Sequence, residues 1–132
     1  MFNLLSTLPA ERVKTLSPVV LAFVGDAVYS LYVREKLVLN TDFSTGTLQK
    51  LASNDVSAHG QSELLNTIFE RFTEEEAEIF RRGRNAKKPT RSKNASVAEY
   101  NRSTGFEAVL GFLYLTARYE RIDELLSVEN EN

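Results

Sequence analysis

Two carboxylates stand where a carboxylate is costly. Asp26 lies within Leu21-Ala22-Phe23-Val24-Gly25-Asp26-Ala27-Val28-Tyr29, and Glu107 within Gly105-Phe106-Glu107-Ala108-Val109-Leu110-Gly111-Phe112-Leu113-Tyr114. Wound as helices, both segments are apolar on nearly all sides, which suits a core or an interface. A buried ionised acid is unfavourable unless something compensates it, and two brought together resist joint ionisation. Glycine and alanine beside each acid would let the two backbones approach closely and bring Asp26 and Glu107 together. A divalent cation resolves the conflict. Magnesium takes one or two protein carboxylates and completes its octahedron with water and phosphate oxygens. An ion held this way polarises a phosphodiester and generates a hydroxide nucleophile. The structural alternative is that each acid pairs with an arginine, such as Arg84 or Arg102.

The second chemical feature is a charge block. Residues 63–78 hold six acids and one base, Arg71, whereas residues 81–102 hold eight bases and one acid, Glu99. Arg81, Arg82, Arg84, Lys87, Lys88, Arg91 and Lys93 lie in or beside one irregular segment. Clustered cations bind phosphate backbones by charge and counterion release. Gly83 and Asn85 would allow close backbone approach. Tyr100 is the nearest aromatic residue, too little for stacking on unpaired bases, so the segment favours duplex reading by shape. A solvated loop that balances the acidic helix before it is the plainer reading.

These residues need helices to position them. Apolar residues recur at three- and four-residue spacing throughout, without sustained alternation, so the fold is expected to be all-α. Ser17-Pro18 is a helix start, and that helix should run to about residue 39. Residues 40–43 read as a loop. A helical stretch over residues 44–69 is weakened by polar residues near 54–57 and by Gly60. Thr73 with Glu76 has capping-box spacing, and that helix is expected to end near Gly83, a natural C-terminal glycine. Residues 84–95 are the one long irregular segment. Ser96 with Glu99 is a second capping box, opening a helix to about residue 117. A short amphipathic helix over residues 120–128 follows.

Composition narrows the chemistry. The chain has 132 residues and no cysteine, so one domain with a core at about residues 17–127 is expected, with no disulfide or thiolate site. The single histidine, His59, excludes metal sites built on several histidines and reads as a surface or helix-side residue. Tyr29, Tyr32, Phe112 and Tyr114 read as core, and Asp55, Glu74, Glu75 and Glu76 as caps and helix-dipole partners. The N-terminus lacks a secretory pattern, and the apolar run at residues 19–33 falls short of a membrane span. A cytoplasmic protein with no membrane partner is expected.

The segments around the two acids resemble the ribonuclease III catalytic domain. Its Phe-Leu-Gly-Asp-Ala signature is matched by Phe23-Val24-Gly25-Asp26-Ala27, and its Asp-x-x-Glu-Ala by Thr104-Gly105-Phe106-Glu107-Ala108. The chain is still more similar to Mini-ribonuclease III, the bacterial variant that consists of the catalytic domain alone. The shared stretches are Arg-Gly-Arg-Asn-Ala-Lys at residues 82–87 and Ser-Thr-x-Phe-Glu-Ala at residues 103–108. The likeness spans about residues 17–126. Two acids of the larger enzymes are replaced, by Ala22 and Thr104, as in Mini-ribonuclease III. Fewer protein ligands leave more of the metal shell to water.

The resemblance implies a ribonuclease III endonuclease-domain helical bundle with Asp26 and Glu107 as catalytic residues and metal ligands. The metal would be magnesium, with manganese as a substitute. It implies an endoribonuclease that cuts double-stranded RNA to leave 5′-phosphate and 3′-hydroxyl ends, with staggered cuts on the two strands. The expected role is maturation of the large-subunit (23S) ribosomal RNA precursor, with a large-subunit ribosomal protein as an assisting partner. It also implies a homodimer with Phe23 at the interface. No separate double-stranded-RNA-binding domain is expected, so RNA affinity is expected from Arg81, Arg82, Arg84, Asn85, Lys87, Lys88, Arg91 and Lys93. The competing readings are a non-catalytic dimeric RNA-binding protein of the same fold, supported by Ala22 and Thr104, and a helical interaction module without nucleic acid.

Overall fold

The structure, a computed structural model, describes residues 8–88 and 96–127. Its regular elements there are all helical: α1 (Ala10–Val13), α2 (Pro18–Asn40), α3 (Thr45–Val56), α4 (Ala58–Ile68), a 3-10 turn (Phe69–Arg71), α5 (Glu74–Asn85), α6 (Val97–Leu115) and α7 (Tyr119–Ser127).

The ends follow from local chemistry. Ser17, Ser44, Ser57, Thr73 and Ser96 each accept a backbone N–H at the start of α2, α3, α4, α5 and α6, satisfying a donor the helix itself cannot. Thr73 and Glu76 form the reciprocal capping box. The expected weakness at residues 54–57 is a true break: Ser57 ends α3 and caps α4. Gly60 belongs to that turn, since a Cβ there would lie 2.5 Å from the Asn54 carbonyl oxygen. α1 has no counterpart in the sequence reading.

α6 is the axis of the fold. It packs against α1, α2, α4, α5 and α7, and from Ser103 to Leu113 only Glu107 escapes full burial. Phe106, Phe112, Leu110 and Leu113 fill the centre with Leu21, Leu65, Ile68 and Leu126. Tyr29 and Phe112 are buried, and Tyr32 and Tyr114 pack partly buried against this core. Tyr29 meets Phe106 edge-on at 5.2 Å between centroids.

Two glycine pairs set the helix crossings. A Cβ on Gly25 would lie 1.7 Å from the Glu107 carbonyl oxygen, and one on Gly111 would lie 1.9 Å from that of Leu21. The α2 and α6 backbones are therefore in direct contact. Gly83 does the same for α5: its Cβ would lie 2.8 Å from the Gly105 Cα. This corrects the expectation at Gly83. It is no helix stop, because α5 continues to Asn85 and no glycine among the described residues has positive φ. The chain reverses after α6 at Ala117, whose φ is 59°.

α2 carries a second, outward apolar face. Phe23 is 81% exposed, Leu31 57% and Val20 48%. With Ala27 they form one stripe at helical spacing. Beside it is a groove of about 640 Å³ lined by Phe23, Val24, Ala27, Val28, Leu31 and Tyr114, with Asp26 and Glu35 also in its wall. Among the described residues, no helix is long and apolar enough to cross a membrane.

Candidate metal centre and nucleic-acid interface

The Gly25–Gly111 crossing places the residue after Gly25 beside the side chain of Glu107. Asp26 and Glu107 line one cleft of about 490 Å³ between α2, α4 and α6, with their carboxyl groups within hydrogen-bonding reach. Glu107 is partly buried, while Asp26 is exposed. The expectation of two buried acids therefore holds in part for Glu107 and fails for Asp26. Asp26 stands at the open side of α2, where the helix faces away from the core. Burial first, and then the Asp26 carboxyl, push the Glu107 pKa up to about 8, against a Gln61 hydrogen bond that favours the charged form.

Neither acid has a basic partner among the described residues. Arg102 donates to Asn66 Oδ1 at 2.7 Å, and Arg84 to Asn85 Oδ1 at 3.2 Å with its guanidinium over the Phe80 ring. The structural ion-pair reading is not realised by either arginine. A cation between the two carboxylates would offset their mutual repulsion. The site's donors are carboxylate oxygens, which suit a hard ion. No cluster of three or more acids, histidines or cysteines occurs among the described residues. An ion held by Asp26 and Glu107 would take the rest of its shell from water and phosphate. Ala22 and Thr104 line the same cleft.

The basic residues have separate fates. Arg81 pairs with Glu78 at 2.6 Å. Arg82 donates to the Lys14 carbonyl oxygen at 3.1 Å. Lys87 and Asn85 are exposed. Lys88 lines the acidic cleft and donates to the Gly83 and Arg84 carbonyl oxygens at 2.8 Å each. It caps the C-terminus of α5 there, and burial holds its pKa below the usual lysine range. Arg91 and Lys93 lie outside the described residues. Of the basic set that is described, Lys88 is the one the fold brings to Asp26 and Glu107.

One participant, Gln61, was missed from sequence, and His59 is the exposed residue it was read as. Gln61 is 2% exposed, and its Nε2 donates to the Val56 carbonyl oxygen at 3.0 Å and to Glu107 Oε2 at 3.1 Å. The signal was there: Gln61, Leu64, Leu65 and Ile68 share one helical stripe, so Gln61 is a polar residue on a core face. His59 lies between Glu99 (2.5 Å) and Glu63 (3.0 Å), and the two carboxylates raise its pKa. Ser96 does cap the Glu99 N–H, but the Glu99 carboxylate also serves His59.

A ribonuclease III domain model matches residues 19–118, which defines the class of the fold and of its acidic cleft. The chain is 46% identical to a Mini-ribonuclease 3 of Thermoanaerobacter sp. (strain X514), covering 92% of this chain and 85% of that protein. It is 44% identical to the Mini-ribonuclease 3 of Staphylococcus aureus, covering 89% of each chain. A crystal structure of a protein from Fusobacterium nucleatum superposes with a TM-score of 0.80 at 30% identity, covering 90% of this chain and 95% of that one. The chain belongs to the Mini-ribonuclease 3 branch of the ribonuclease III family and is an endoribonuclease of that type.

Proposed function

We propose that this endoribonuclease hydrolyses double-stranded RNA with magnesium held by Asp26 and Glu107, and that its substrate is the precursor of 23S ribosomal RNA. The observation that carries the site is the meeting of two carboxyl groups in one cleft, neither of them paired with a basic side chain among the described residues. A divalent cation bound there supplies Lewis-acid polarisation of the scissile phosphate and a water of lowered pKa. Asp26 and Glu107 fix its position, and manganese can replace magnesium because both accept oxygen ligands. The cleft between α2, α4 and α6 orients the phosphate. Lys88, at the same cleft, adds positive charge for the phosphate oxygens. Water adds to the phosphorus as the bond to the 3′-oxygen breaks, and the 3′-oxygen takes up a proton, leaving a 5′-phosphate and a 3′-hydroxyl.

A homodimer completes the reading. The stripe of Val20, Phe23, Ala27 and Leu31 is apolar and exposed, as an isologous interface requires. Two copies would align two clefts along one duplex. Exposed cations such as Lys87 would contact its phosphates. Family likeness supports the ribosomal RNA substrate and a large-subunit ribosomal protein as helper. The competing reading, a dimeric RNA-binding protein of the same fold without cleavage, does not account for the chain's place among endoribonucleases. Incubation with duplex RNA, duplex DNA and single-stranded RNA, each with and without magnesium, separates the two. Magnesium-dependent cutting of duplex RNA alone supports the enzyme. Salt-sensitive binding without cutting supports the competing reading.

A further inference from the structure

Gln61 is an anomaly of the core. Its side chain occupies a buried position on α4, in the stripe that also presents Leu64, Leu65 and Ile68. One end of the amide is well used: Nε2 has two protons and two acceptors, the Val56 carbonyl oxygen and Glu107 Oε2. The other end is not, because Oε1 is buried without a partner among the described residues. A buried acceptor left unpaired is destabilising, and a leucine would fill the space without that cost. Packing therefore does not explain the amide; the donated bond to Glu107 does.

We infer that Gln61 is a positioning residue for the metal site. The Val56 carbonyl, at the end of α3, fixes which way the amide faces. The amide then holds Glu107 Oε2, so that the carboxylate cannot turn freely in the cleft it shares with Asp26. Hydrogen bonds of this kind, made behind a ligand, orient it and strengthen its hold on the ion. The amide also favours the charged carboxylate over the neutral acid. Gln61 thus links the α3–α4 break to the α6 carboxylate: the turn at Ser57 sets the amide, and the amide sets the ligand. This inference rests on the reading of Asp26 and Glu107 as metal ligands.

The test is manganese binding to the RNA-free protein, followed by the paramagnetic signal of the free ion, for the unsubstituted chain and for Asp26→Asn, Gln61→Leu and Gln61→Met. Binding by the unsubstituted chain that Asp26→Asn abolishes upholds the site itself; absence of binding removes the site and this inference together. With the site upheld, Gln61→Leu is expected to weaken manganese at least about 10-fold while its metal-free melting temperature stays equal or rises. In cleavage assays it should raise the half-saturating magnesium concentration similarly and leave the KM for RNA at saturating magnesium unchanged. Gln61→Met, of similar volume, should behave alike. Manganese affinity within twofold of the unsubstituted chain in a folded Gln61 variant overturns the inference and leaves the site standing. Failure of both variants to fold overturns it too, because the amide would then be structural.

Discussion

Gly25 meets the backbone of Glu107 so closely that a Cβ on the glycine would lie 1.7 Å from the glutamate's carbonyl oxygen. That contact does two jobs. It seats α2 on the central helix α6, and it brings the neighbouring Asp26 to the side chain of Glu107. Fold and site share one crossing, so damage to it should remove both.

Gly25→Ala is accordingly expected to destabilise by about 3 kcal/mol or more, at the upper end for overpacking because the atoms in the way are backbone. Gly46→Ala is the control. Nothing lies within 4 Å of a Cβ at that helical position, so the change should be neutral or stabilise by about 0.5–1 kcal/mol. Urea unfolding of both variants checks this; similar midpoints would mean that the α2–α6 crossing is looser than the glycines indicate.

Glu107→Gln should separate stability from activity. The Glu107 pKa is pushed up to about 8 from an ordinary 4.5, so between those values the native state holds a proton that the unfolded chain releases. Stability is then full below about pH 4.5 and declines as pH rises through about 8. In chelator, the melting temperature of the unsubstituted chain should fall over that window more steeply than that of Glu107→Gln. At pH 8 the variant should be more stable by about 1–3 kcal/mol, since a neutral amide replaces a poorly compensated charge. Added magnesium should raise the melting temperature of the unsubstituted chain alone. Parallel pH curves would show that Glu107 is not strained in the metal-free fold.

Phe23 tests the dimer. A ring 81% exposed on an apolar stripe gains little by facing water. Phe23→Asp should convert a dimer into a folded monomer in sedimentation equilibrium, with cleavage reduced because one duplex can no longer span two clefts. A monomeric unsubstituted chain at micromolar concentration would remove the stripe from the account.

Lys87 and Lys88 are neighbours with different work. Lys87 is exposed, so Lys87→Glu should weaken RNA binding across sequences and lower the salt slope by about 1. Lys88 holds the last carbonyls of α5. Lys88→Met should cost about 1–2 kcal/mol of stability and depress cleavage more than binding. Salt titrations of affinity, set beside urea unfolding, distinguish the two.

Much of this was legible in the chain. The serine and threonine caps, the Thr73–Glu76 box and the all-helical periodicity are local signals, and they placed most helix starts. The pairing of Asp26 with Glu107 was legible because each acid interrupts an apolar helix beside small residues. Gly83 misled because glycine serves both helix ends and helix crossings, and only the partner Gly105 decides which. The exposure of Asp26 depends on how α2 is rotated against α6, which periodicity alone does not fix when a helix is apolar on two faces. Gln61 was overlooked although its place among Leu64, Leu65 and Ile68 marked it as a buried amide; its partner Glu107 lies 46 residues away.

The central claim is that Asp26 and Glu107 together make the chain a metal-dependent nuclease for duplex RNA. Its most direct test is cleavage of a structured duplex RNA by the unsubstituted chain, Asp26→Asn and Glu107→Gln, with and without magnesium, with folding checked by circular dichroism. The account predicts magnesium-dependent cutting that leaves 5′-phosphate ends, abolished in both folded variants while RNA binding persists. Undiminished cleavage by either folded variant would contradict it.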